Sequence, residues 1–106
     1  MYKLCFFVPE EHLERVKDAV FAAGAGHIGR YDKCCWQTKG VTQFRPLEGS
    51  RPHTGKNEIL ETVSEFKVEM VCVDGSVDAV IAALRKAHPY ETPAFEVWKV
   101  DDRSCI

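Results

Sequence analysis

Residues 58–73 run for sixteen positions without a glycine or a proline. Apolar side chains alternate cleanly from Phe66 to Cys72, with Lys67 and Glu69 on the opposite face, which is the period of a strand covered on one side. At about 3.3 Å per residue, one strand of this length reaches roughly 50 Å. A two-layer domain built from 106 residues is much narrower. The strand must therefore bend, break near Ser64, or project from the body. A projecting hairpin leaves edge N–H and C=O groups unpaired and invites pairing with another chain. The segment thus predicts a homo-oligomer; a broken strand inside a monomer is the alternative.

The rest of the chain supplies the partners of this strand. Residues 3–8 are rich in aromatic and branched side chains and predict an opening strand. Pro9, Glu10 and Glu11 stand where a helix can begin, since proline suits the first helical position and acids suit the positive end of the dipole. Leu13, Val16, Val20 and Ala23 then recur at helical spacing, and Gly24 follows as a C-terminal cap. A second strand is expected over 31–37, with a short continuation over 42–45 after a break at Gly40. Residues 46–57 hold two prolines and two glycines and read as a loop. Beyond residue 73, Asp74-Gly75-Ser76 is a turn with Ser76 as the expected helix N-cap. Val77, Val80, Ile81 and Leu84 stripe a second helix that ends near Ala87, before Pro89 and Pro93. A last strand covers 94–100. The order is β-α-β-β-α-β. That is an α+β, ferredoxin-like split βαβ fold over residues 1–106: an antiparallel sheet with two helices on one face.

Charge and composition exclude several functions. The net charge of −2 lacks the basic surplus that phosphate backbones require, so nucleic acid is not expected as a partner. No apolar run approaches the roughly 20 residues of a membrane span. The apolar start is cut short by Pro9 and two glutamates, so it has no signal-peptide shape. The five cysteines (Cys5, Cys34, Cys35, Cys72 and Cys105) show no C-x-x-C spacing and read as reduced thiols of a cytoplasmic protein. Cys34 and Cys35, if adjacent on a strand, face opposite ways and cannot share one ion. Cys34 alone, near a histidine, could still take a soft metal.

The stretch Gly24-Ala25-Gly26-His27-Ile28-Gly29 fits the G-x-G-x-x-G dinucleotide fingerprint, but it follows a helix and precedes a strand, the reverse of what that site requires. Its glycines serve a helix exit and a strand entry. His27 and His88 both lie at helix-to-strand junctions. With the helices side by side, their C-terminal ends are expected to share an edge, bringing His27, His88, Tyr90 and Glu91 together. These residues, with Tyr31, form the candidate ligand site; His27, His88, Glu91 and Cys34 form the candidate set for a divalent or soft metal ion. The alternative is that the two histidines fasten their junctions by hydrogen bonds. No nucleophile-base-orienter set assembles, and no serine lies in G-x-S-x-G, so an enzyme is not expected.

Several segments together carry a resemblance: VPEEHLERVKDAVFAAGAGHIGRYDKCCW, FRPLEGSRPHTG, the E-x-K-x-E of Glu65, Lys67 and Glu69, and AHPYETPAFEV. From about Lys3 to Val100 the chain resembles the domain inserted in the middle of the YqfO branch of the NIF-three family. The resemblance implies a PII- and CutA-like fold, and the His88, Tyr90, Glu91, Pro93 pattern is similar to one near the last CutA strand. It further implies a homo-oligomer, a trimer ahead of a dimer, and a small-molecule or metal effector. The dinuclear metal site of that family lies in flanking halves that have no counterpart here, so its ligands have no positions to be carried onto. The chain is accordingly expected to be a non-enzymatic binding or regulatory module. A CutA-like metal-binding protein and a partner subunit of a dinuclear-metal hydrolase are the alternatives. Three positions depart from the family pattern: Thr42 replaces a glycine, Lys67 an arginine, and Cys35-Trp36 a small residue followed by phenylalanine.

Overall fold

The computed structural model describes residues 1–103; Cys105 lies outside them. The elements run β1 (Tyr2–Pro9), α1 (Leu13–Ala22), β2 (Trp36–Phe44), β3 (Glu61–Cys72), α2 (Val77–Ala87) and β4 (Phe95–Lys99), and a single 3-10 turn leads into each helix. The sheet order is β2-β3-β1-β4 with every neighbouring pair antiparallel. This is the expected ferredoxin-like arrangement.

The pleat explains the core. Leu4, Phe6 and Val8 of β1 lie opposite Met70, Val68 and Phe66 of β3, so one face of the central pair is apolar. The helices lay Leu13, Val16, Val20, Val80 and Leu84 against it. Burying each such side chain contributes about 1.5–3 kcal/mol before the entropy of ordering the chain is counted.

Register decides the fate of the long strand. Pro9 pairs with Glu65, and β1 ends there. β3 continues outward through Ser64, Val63, Thr62 and Glu61, paired with Val41 to Phe44 of β2 and, among the described residues, with no strand on its other side. The strand neither bends away nor breaks at Ser64; it projects. The molecule measures 50 × 24 × 23 Å in consequence.

Three local expectations need correction. Of residues 31–37 only Trp36 and Gln37 lie in a strand. The chain there is occupied by a tight Ile28–Tyr31 bridge, a left-handed Lys33 (φ 54°), and a Cys34 amide bonded back to the Gly26 carbonyl. One unbroken strand, Trp36–Phe44, follows instead and passes through Gly40, which pairs with Glu65. Cys34 and Cys35 therefore sit in a loop before β2. Pro9 closes β1 rather than opening a helix, because its backbone is extended (φ −60°, ψ 147°). Ser76 precedes α2 but its side chain caps nothing, since its backbone already turns with the 3-10 segment (φ −103°, ψ −11°).

The helices are antiparallel, because each returns along a strand antiparallel to the other's. Arg15, early in α1, donates from Nη2 to the carbonyl of Ala87 at the end of α2, at 2.8 Å. At the other end Gly24 lies so close to Ser76 that a Cβ would stand 2.8 Å from the serine Oγ. No helix among the described residues is long and apolar enough to cross a membrane.

Candidate functional site

The two helix exits lie at opposite ends of the sheet, about 15 Å apart along a ten-residue helix. The expected convergence of His27 with His88 therefore does not occur. His27 is exposed, in a shallow depression with Asp18, Phe21 and Lys33. Tyr31 is 75% exposed. The Cys34 thiol points to the Asp32 carbonyl at 3.6 Å. None of these reaches the other exit, where His88, Tyr90 and Glu91 do come together.

That second end is built where β1 stops, α1 starts and α2 ends. His88 is 5% exposed. Its Nε2 lies 2.7 Å from the Phe7 carbonyl oxygen, and its Nδ1 accepts the Tyr90 backbone N–H at 3.1 Å. A carbonyl only accepts, so the proton sits on Nε2, and both ring nitrogens are committed. Burial pushes the imidazole below its ordinary range, with the Phe7 hydrogen bond partly opposing. His88 thus fastens the α2–β4 junction to β1 and has no lone pair left for a metal. Tyr90 Oη donates to Glu65 Oε2 at 2.5 Å. Glu65 is 3% exposed. Burial, then the Glu65 carboxyl, push the Tyr90 phenol well above its usual range.

Above this buried pair lies a cleft of about 580 Å³. Phe7, Phe44 and Leu47 give it apolar walls, and Glu65, Glu91 and His53 give it polar ones. The loop between β2 and β3 forms its far side and is held in place at three points. The Glu58 amide donates to the Pro46 carbonyl at 2.6 Å, the Arg51 amide to Glu91 Oε2 at 3.0 Å, and Ser50 Oγ lies 3.3 Å from Asn57 Oδ1. This fold-back sets the His53 ring 5.3 Å from that of His12 and 5.9 Å from that of Tyr90.

Sequence reasoning had singled out neither His12 nor His53 as a site residue. His12 occupies the turn before α1 and His53 a proline- and glycine-rich loop, and no fixed spacing links them. Glu65 stood in the polar phase of β3 with Lys67 and Glu69, which gave no sign that it is buried.

No family model matches the chain. The GTP cyclohydrolase 1 type 2 homolog of Halalkalibacterium halodurans is 45% identical over 98 residues, which is 92% of this chain and 26% of that protein. A crystal structure of a Bacillus cereus protein related to NIF3 superposes with a TM-score of 0.82 at 38% identity, over 95% of this chain and 26% of that one. The chain is a NIF3-related domain. It spans about a quarter of the length of the relatives it matches. The periplasmic divalent cation tolerance protein CutA of Archaeoglobus fulgidus matches the NIF3-related domain with a TM-score of 0.66 at 16% identity, over 96% of this chain and 86% of that protein. At that identity the likeness is one of fold, and it bears out the CutA-like architecture expected from the sequence resemblance.

Proposed function

We propose that this NIF3-related domain is a cytoplasmic, non-catalytic binding or regulatory module that works as a homo-oligomer and takes a small molecule in the cleft beside Tyr90. The observation that carries this reading is the state of the groups around the cleft. A cleft of about 580 Å³ suits a small ligand. Its buried polar pair is already matched, the Tyr90 phenol being held protonated against Glu65, and the neighbouring His88, which does not line the cleft, has both ring nitrogens used. Groups fixed in one protonation state orient a ligand well and transfer protons poorly. The fitting ligand has an apolar body for Phe7, Phe44 and Leu47, and N–H or cationic groups for the acids Glu65 and Glu91.

The oligomer reading rests on the edge of the sheet. β2 is an outer strand of nine residues, and it carries Trp36 and Val41 exposed to 60% and 76%. A long, exposed, partly apolar edge is a natural site for a second copy of the chain.

Native mass spectrometry of protein taken gently from cells tests both parts. An oligomer of the 12.0 kDa chain that retains a small molecule is expected, a trimer weighing about 36 kDa. A ligand-free monomer at micromolar concentration would overturn the reading. So would turnover of GTP by this chain alone.

A further inference from the structure

We propose that Glu11, His12 and His53 form a binding site for a divalent transition-metal ion of the zinc, cobalt or nickel class. The three residues come from two separate segments, and one donor atom from each lies within 4.8 Å of the others. The spacing of the rings is that of a metal pair. An imidazole centroid stands about 3.2 Å from an ion bound at its nitrogen, so two imidazoles on a tetrahedral ion have centroids about 5.2 Å apart. The His12 and His53 centroids are 5.3 Å apart, inclined at 75°, so they are not stacked on one another. The third donor is close: Glu11 Oε1 lies 3.6 Å from His12 Nε2. Donors on a tetrahedral ion are about 3.4 Å apart. Closing the widest gap thus takes a shift on the order of 1.5 Å, within reach of rotamer changes in the exposed Glu11 and His53 side chains about the half-buried His12.

The backbone already places the donors. Glu11 and His12 share the 3-10 turn that leads into α1. His53 lies between two fixed points of its loop, the Arg51–Glu91 hydrogen bond and the Glu58–Pro46 closure. Two nitrogens and one oxygen suit zinc and its neighbours, whereas calcium and magnesium take oxygen shells. Three protein ligands leave a coordination position open. The site shares no residue with the metal set expected from sequence, and it borders the cleft, whose wall His53 also forms.

Cobalt(II) titration of the full chain, followed by visible absorption and checked by zinc competition, is the test. One equivalent is expected to bind with d–d bands of a low-coordinate N/O site. His53→Ala, in an exposed loop, is expected to weaken binding at least tenfold, and Glu11→Gln to weaken it as well. His27→Ala should stay within twofold of the parent. No stoichiometric binding at 100 μM protein, a loss below tenfold in His53→Ala, or an equal loss in His27→Ala would overturn the site. An intense sulfur-to-cobalt charge-transfer band would overturn it too, by placing the ion on a cysteine.

Discussion

Replacing Tyr90 by Phe removes one oxygen atom and keeps the ring. That oxygen donates to Glu65 Oε2 at 2.5 Å, and Glu65 is 3% exposed. Leaving a buried acceptor without its hydrogen bond costs about 1–3 kcal/mol. Against a typical total of roughly 5–15 kcal/mol, that is a large share. With an unfolding entropy of about 2.1 cal/mol/K per residue, a loss of about 2 kcal/mol lowers the melting temperature by roughly 9 °C in a chain of 106 residues. Urea melts at pH 7 and one fixed protein concentration would read the loss in the parent, Tyr90→Phe, Glu65→Gln and the double variant. Fixing the concentration matters because self-association would add to apparent stability. The cycle should give a coupling above about 1 kcal/mol between the two positions. A Tyr90→Phe cost below about 0.5 kcal/mol, or an equal cost with and without Glu65→Gln, would show that the pair is not what holds this end of the sheet together.

Burial sets the folded pKa of His88 below the ordinary 6.5, so the unfolded chain takes up a proton first as pH falls. The stabilisation is therefore complete above about pH 6.5 and is lost as pH drops from there toward the folded value. Urea midpoints of the parent should fall over that window more steeply than those of His88→Gln; parallel pH profiles would contradict the neutral, doubly bonded ring. Gly26 and Gly40 should respond oppositely to alanine. At Gly26 (φ +82°) a Cβ would sit 2.8 Å from Phe21 Cε1, so thermal melts should show a loss of about 1–3 kcal/mol. At Gly40 a Cβ meets nothing within 4 Å, and alanine there should be neutral or slightly stabilising in the same assay.

Periodicity carried most of the architecture. The stripe of Leu13, Val16 and Val20 and the alternation from Phe66 to Cys72 predict elements that the core uses in just that phase. Gly40 misled because a glycine in a strand looks like a break, whereas the partner β3 supplies a full ladder on either side of it. The site was harder to read. His88, Tyr90 and Glu91 are close in sequence, and their shared location followed from that. Pairing His88 with His27 required the relative direction of the helices, which is fixed by strand order and not by any local signal. His12 and His53 meet only because the 46–57 loop folds back onto the start of α1, a placement held by the Glu58 amide on the Pro46 carbonyl and the Arg51 amide on the Glu91 carboxylate, which no local sequence signal announces.

The outward run of β3 also governs how the molecule moves through water. A compact chain of 106 residues has a radius of gyration of about 13 Å. This one has 14.8 Å, with one axis twice the others. An elongated particle tumbles and diffuses more slowly than a sphere of equal mass. Gel filtration of the single chain, where it is separated from its oligomer, will therefore overstate its size, and the tumbling of that single chain will be anisotropic. Amides of the hairpin strands, whose N–H vectors lie across the long axis, should report shorter effective correlation times than amides whose N–H vectors lie along it.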